Sequence, residues 1–152
     1  MTKGTYDEVR YKLNKERAGE FKKNDYVTGL YEVGSSPENV ENDLQSLIDE
    51  INDYKGNDYL TVVAYFHAMF ENIHPFFIGN GRVGRTLLNY YLIIHNLKPL
   101  IIYEEDRNIY YDCLEKFDID NDLKPLKKFI EYQQRKTWTK KEHKKKLMKS
   151  YL

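Results

Sequence analysis

The chain has 152 residues, enough for one domain with its own core. Lys plus Arg and Asp plus Glu each number 24, so no overall charge marks it as a nucleic-acid binder, and no apolar run is long enough to span a bilayer. A single cysteine, Cys113, excludes an internal disulfide; together with a polar, charged N-terminus that lacks a signal peptide, it sets the expected location as the cytoplasm.

Thr5 to Glu8 reads as a capping box, and Tyr6, Val9 and Leu13 give a weak apolar stripe for a helix ending near Gly19. Residues 25–33 break that period. Tyr26, Val27, Leu30, Tyr31 and Val33 around Thr28-Gly29 suit a short β-hairpin with its turn at Thr28-Gly29. Ser36-Pro37 opens a helix carrying Val40, Leu44, Leu47, Ile48 and Ile51 to about Tyr54. Asp58 caps a helix to Ile73 whose apolar residues occupy most of its circumference, so it is expected to be buried. The helix from Arg82 to His95 is similar and carries the same expectation. Asn96 and Pro99 end it. Ile101-Ile102-Tyr103 reads as extended. Asp106 is placed to cap a helix with Tyr110, Cys113, Leu114 and Phe117 on one side, and Asp122 to cap the last one, with Leu126, Phe129 and Ile130 facing in.

Between the two most apolar helices lies His74-Pro75-Phe76-Phe77-Ile78-Gly79-Asn80-Gly81-Arg82-Val83-Gly84-Arg85. Glycines at 79 and 81 permit positive φ, so successive N–H groups can converge on one anion at a helix N-terminus. Arg82 and Arg85 lie three apart on one helix face, placed to clamp phosphate oxygens. His74, at the loop entrance, is the side chain there that can exchange a proton near neutral pH.

This stretch resembles the signature of the Fic domain family, His-x-Phe-x-(Asp/Glu)-Gly-Asn-Gly-Arg-x-x-Arg, at His74, Phe76, Gly79, Asn80, Gly81, Arg82 and Arg85. His67, Arg107-Tyr110-Tyr111 and the Asp-Leu-Lys-Pro-Leu run at Asp122 add to the likeness, which covers most of the chain from about residue 25 to Gln133. The resemblance implies a mainly α-helical Fic-type bundle with a small β-hairpin flap over the active site. It implies a protein adenylyltransferase that moves AMP from ATP to a hydroxyl side chain of a target protein held at the flap, by Thr28, Gly29, Leu30 and Tyr31. His74 would be the general base. Gly79, Asn80, Gly81, Arg82, Gly84 and Arg85 would hold the nucleotide phosphates. Tyr110 and Tyr111 would line the adenine side, with helix core as the competing reading for each.

Position 78 departs from the pattern. The family carries an acid there that ligates Mg²⁺, and Ile78 offers no oxygen. Three readings follow: a degenerate fold acting as a nucleotide- or protein-binding module, an enzyme whose Mg²⁺ is held by phosphate and water alone, or a substituted residue. Relatives are often restrained by a helix bearing Ser/Thr-x-x-x-Glu-(Gly/Asn), whose glutamate engages the arginine at position 85. No convincing copy occurs here, so restraint of an active enzyme is expected from a separate antitoxin-like protein or from homo-oligomerisation, and a protein disabled at position 78 would need none. His67 reads as a satisfied core histidine, and Cys113 as inert core.

The expected organisation is one domain over residues 1–134 and a basic helical tail over 135–152. That tail holds eight Lys/Arg against one acid, Glu142, leaving 16 basic against 23 acidic residues elsewhere. Aromatic and glycine interleaving is sparse there, so a solvated helix end is favoured over nucleic-acid or membrane binding.

Overall fold

The computed structural model describes residues 8–17, 19–25, 27–28, 31–32 and 34–150. The chain is mainly helical: α1 (Glu8–Asn14), α2 (Val40–Asp53), α3 (Tyr59–Ile73), α4 (Asn80–Ile94), α5 (Arg107–Asp120) and α6 (Lys124–Ser150), with two two-residue strands, β1 (Val27–Thr28) and β2 (Tyr31–Glu32), between α1 and α2. The strands pair antiparallel, Val27 opposite Glu32 and Thr28 opposite Tyr31. Thr28 is thus a paired strand residue rather than a turn residue. Tyr26, Gly29, Leu30 and Val33 of the expected hairpin lie outside the described residues, as do Thr5 and Tyr6 of the expected capping box.

α3 is the axis. Asp58 caps it as expected, accepting from the Thr61 N–H at 3.2 Å and the Thr61 hydroxyl at 2.7 Å. Lys127 of α6 reaches the same carboxylate at 2.8 Å, which pins the start of α3 to the last helix. Val62, Val63, Ala64, Phe66, His67, Ala68, Phe70 and Ile73 are all buried, as its all-round apolar sequence requires. One face joins Leu88 and Leu92 of α4, Tyr110, Cys113 and Phe117 of α5, and Leu126, Phe129 and Ile130 of α6 in the main core. The other packs Phe66, Phe70 and Ile73 on Leu47 of α2.

Three expectations change. α1 stops at Asn14, well short of Gly19, because Lys15 turns to positive φ and its N–H closes on Tyr11 O. Val9 and Leu13, the apolar stripe of α1, stay exposed. α4 is not buried all round. It docks on α3 by one stripe, Gly84, Leu88 and Leu92, while Tyr90, Ile93 and Ile94 face outward. Asp106 flanks the start of α5 but does not cap it with its side chain. Its carboxylate accepts instead from Gln133 Nε2 at 2.7 Å and from Lys136, so one amide and one ammonium group on α6 outcompete the local N–H groups.

α6 runs unbroken for 27 residues, about 40 Å at helical rise, and the basic tail is its second half. Asp122 accepts from the Lys124 N–H at 3.1 Å at its start. Segment 100–103 is extended without a sheet. Asn89 of α4 brackets Leu100 with two backbone hydrogen bonds, and Thr137 of α6 accepts from Ile101 N–H. Among the described residues, no helix is long and apolar enough to cross a membrane.

Candidate active site

α3 ends on His74, whose φ of 51° lies in the left-handed region. An L residue holds that conformation at some cost, so the surroundings must impose it. The His74 N–H closes on Phe70 O at 3.1 Å, Ser35 N–H donates to Ile73 O at 3.0 Å, and Lys22 N–H donates to Pro75 O at 2.9 Å. Gly34, at φ +85°, presses so closely that a Cβ there would stand 2.4 Å from Ile73 O and 2.8 Å from His74 Cβ. The Phe21 ring lies 5.8 Å from that of Phe76. Segment 19–25 is itself tied back by buried Glu16, which accepts from Lys23 N–H at 2.8 Å and Asn24 Nδ2 at 3.0 Å. The histidine therefore sits on a backbone gripped from three sides.

The His74 imidazole is half-buried. Desolvation pushes its pKa below the ordinary histidine value; a hydrogen bond to the Glu71 backbone opposes this, and the Lys22 charge adds to it. The ring is consequently neutral near pH 7. The bond to the backbone occupies one ring nitrogen and leaves the other to accept a proton.

Beyond His74 the chain turns through Phe76–Gly79 into α4. Asn80 is 3% exposed, and its side-chain amide bonds the Phe76 backbone at both ends, accepting from the N–H at 2.8 Å and donating to the carbonyl. Asn80 thus shapes the loop with its side chain. Gly79, at φ 90°, is the helix N-cap, and its carbonyl takes the N–H groups of Arg82 and Val83. The earlier N–H groups, of Asn80 and Gly81, open at the helix N-terminus, where backbone dipoles favour negative charge. A Cβ on Gly81 would lie 2.9 Å from Arg85 Nη1, so the Arg85 guanidinium folds back over the loop.

Arg85 also lines a cavity of about 300 Å³ with Ile102, Tyr103, Glu104, Arg107, Tyr110 and Tyr111. Arg82 is exposed beside the loop and does not line it. The two tyrosines divide. Tyr110 is 3% exposed and packs on Phe129, whereas Tyr111 is 49% exposed, with the Arg107 guanidinium 5.5 Å from its ring centre. Gly84 does not reach the loop mouth. It is buried where α4 crosses α3, and a Cβ there would meet Glu71 Oε1 at 2.4 Å and Phe70 Cδ1 at 3.1 Å. Its grouping with the phosphate residues is corrected: one turn into the helix, it is a contact for Glu71.

Glu71 escaped the sequence reading. It lies one turn after His67 on α3, and that i, i+4 carboxylate on a buried helix was the available signal. Tyr110 joins the pair: its hydroxyl lies 2.8 Å from His67 Nε2 and interacts with Glu71 and Arg85. Burial lowers the His67 pKa to about 4 and raises that of Glu71 to about 7, the nearby Arg85 charge partly offsetting the latter. Lys22, also overlooked, is 3% exposed with its charge close to His74. His95 stacks on Tyr59 with ring centres 4.0 Å apart.

Ile78 is 38% exposed and offers only hydrocarbon. Among the described residues, no three His, Cys, Asp or Glu side chains gather as a metal site. The residues at the loop therefore do not fit a protein-held Mg²⁺.

Three comparisons bear on this geometry. The family model for the Fic/DOC family matches residues 2–92. Curated relatives named "Protein adenylyltransferase Fic" include those of Drosophila willistoni, 33% identical over 74% of this chain, and Aedes aegypti, 39% identical over 44% of it. The chain spans only 22% and 13% of those proteins. Among solved structures, a Fic-domain-containing signaling protein from Bacteroides thetaiotaomicron superposes with a TM-score of 0.70 over 84% of this chain and 58% of its own, at 24% identity. Fic-1 from C. elegans (aa134–508) gives a TM-score of 0.69 over 92% of this chain and 41% of its own, at 28% identity. With the family model covering more than half its length, and the histidine, glycine turn and arginines standing where one loop joins two packed helices, the chain belongs to the Fic/DOC family.

Proposed function

We propose that this chain is the transferase domain of a protein adenylyltransferase, with ATP as co-substrate and a hydroxyl side chain of another protein as acceptor. The observation that carries the reading is the half-buried, neutral His74 held at the entrance of a loop whose far end is the N-terminus of α4. The acceptor hydroxyl gives its proton to the open nitrogen of His74 as its oxygen attacks the α-phosphorus. The new P–O bond forms while the bond from the α-phosphorus to the bridging oxygen breaks, and pyrophosphate leaves. The N–H groups of Asn80 and Gly81 and the side chains of Arg82 and Arg85 take up the charge on the phosphates. Tyr111 is the ring with a face to offer the base. The β1–β2 pair is the flap, whose edge holds the target segment by strand addition.

Ile78 supports a second reading, in which the fold binds nucleotide or protein without turnover. No step above runs through a metal. ATP labelled at the α- or the γ-phosphorus separates the alternatives: adenylyl transfer labels protein from the α position alone, phosphate transfer from the γ position alone, and a binding module from neither. A chain that stays silent but labels after Ile78→Asp is a transferase disabled at that side chain.

A further inference from the structure

Trp138 is the chain's one tryptophan, and it stands half-buried where α6 leaves the rest of the fold. Beyond it the described side chains of α6, residues 139–144, 148 and 149, are all exposed. The indole N–H donates to Pro99 O at 2.9 Å, which fixes the ring. Lys98 Nζ lies 5.3 Å from its centre and Lys141 Nζ 4.7 Å. Beside the ring opens a cavity of about 510 Å³, whose wall includes Asn96, Lys98, Gln134, Arg135 and one acid, Glu131. It shares no residue with the cavity at Arg85. Lys141 and Lys149 follow Trp138 at i+3 and i+11, spacings that return to its face of the helix. Glu142 is the one acid in that stretch. Three cations thus converge on one ring and one cavity, held together against their repulsion in part by the ring's π-face.

We propose that Trp138 and the cations around it form a binding site for single-stranded nucleic acid: a base enters the cavity against the indole, and its flanking phosphates follow Lys98, Arg135, Lys141 and Lys149. A fixed ring beside a basic track is the arrangement that strand binding needs, because every base has a π-face to stack and every nucleotide a phosphate to neutralise. Lysine is a point charge on a flexible stem, so the ammonium group that a base displaces from the ring swings to the adjoining phosphate. Asn96 and Gln134 bring carboxamides to the wall, where a base edge would meet them. Along the sequence the tail is poor in aromatic residues; the fold supplies what is missing by bringing Lys98 and the end of α4 to the one ring it has. A duplex keeps its bases stacked and offers none to the cavity. A helix lying on a membrane needs an apolar stripe, and residues 139–150 hold only Leu147 and Met148, adjacent in sequence.

The single tryptophan makes the test direct: a short oligouridylate is titrated into the full chain while Trp138 fluorescence is read. The expected result is quenching that saturates, with log affinity falling against log salt at a slope of about −2 to −3, as three or four neutralised phosphates on a single strand require. Lys98→Ala and Lys141→Ala change exposed side chains that the fold does not need. Each is expected to weaken binding severalfold and to flatten the salt slope by about 0.7. Anisotropy of a labelled oligouridylate reads Trp138→Leu, for which a loss of tenfold or more is expected. Duplex RNA, polyphosphate, polyglutamate and phosphatidylserine vesicles serve as rival probes and are expected to bind more weakly at equal charge. Fluorescence that stays unchanged on adding the strand overturns the inference. So does unaltered affinity in both lysine variants, or a rival probe that binds as tightly as the strand.

Discussion

The side chain of Asn80 closes a ring on the backbone of Phe76, accepting from its N–H at 2.8 Å and donating to its carbonyl. Removing it leaves two part-buried backbone groups unpaired. Asn80→Ala is expected to lower stability by about 2 kcal/mol and to weaken ATP binding, because the loop that aims the α4 N-terminus loses its tie. Denaturant unfolding and an ATP titration read the two effects. Loss of binding without loss of stability would instead put the carboxamide on the phosphates.

Gly34 lies 40 positions before His74 yet shapes it. Its φ of +85° and the 2.4 Å that a Cβ would leave to Ile73 O admit glycine alone. Gly34→Ala is expected to cost about 2–4 kcal/mol, seen as a lower unfolding midpoint, with segment 34–35 pushed off the end of α3. An unchanged midpoint would mean that this contact is not kept in solution.

His67 and Glu71 act oppositely on the pH dependence of stability. The folded His67 pKa, about 4, is below its unfolded value, so its contribution is present above about pH 6.5 and lost as pH falls towards 4. The folded Glu71 pKa, about 7, is above its unfolded value, so its contribution is present below about pH 4.5 and lost as pH rises towards 7. Each amounts to roughly 3 kcal/mol, and over this window they nearly cancel. Glu71→Gln removes one side of the balance. Its stability should rise with pH across the window more steeply than wild type, as unfolding curves at several pH values would show. Parallel curves would contradict the buried ionisation of Glu71.

Tyr110 and Tyr111 separate structure from binding. Tyr110→Phe strips the hydroxyl from His67 Nε2 and is expected to cost about 1–3 kcal/mol. Tyr111→Ala touches an exposed ring, leaves stability within about 0.5 kcal/mol, and weakens ATP binding. Thermal melts paired with ATP titrations check both; a reversed pattern would exchange their roles.

The sequence made α3 plain because two independent signals agreed: an Asp-x-x-Thr cap and an apolar surface all round. The loop was equally plain, since few other jobs need a histidine, a glycine pair and two arginines at that spacing. What stayed hidden depended on neighbours far along the chain. Periodicity says that Tyr90, Ile93 and Ile94 are apolar, not that no helix covers them. Asp106 has the composition of a cap, but Gln133 and Lys136, a helix away, claim its carboxylate. Gly84 looked like part of a glycine loop because its packing against Glu71 exists only once α3 and α4 cross. Glu71, the one acid in α3, was legible as a carboxylate one turn after His67 on an apolar helix, but its enclosure shows only once α4 and α5 pack against it.

The central claim is that His74 is the base of an AMP transfer. The direct measurement is incorporation of α-labelled ATP into protein by the wild-type chain, by Ile78→Asp, and by each with His74→Ala added. The account predicts that labelling, in whichever background shows it, falls by a hundredfold or so when His74 is removed. Equal labelling with and without His74, or no labelling even from Ile78→Asp, would contradict it.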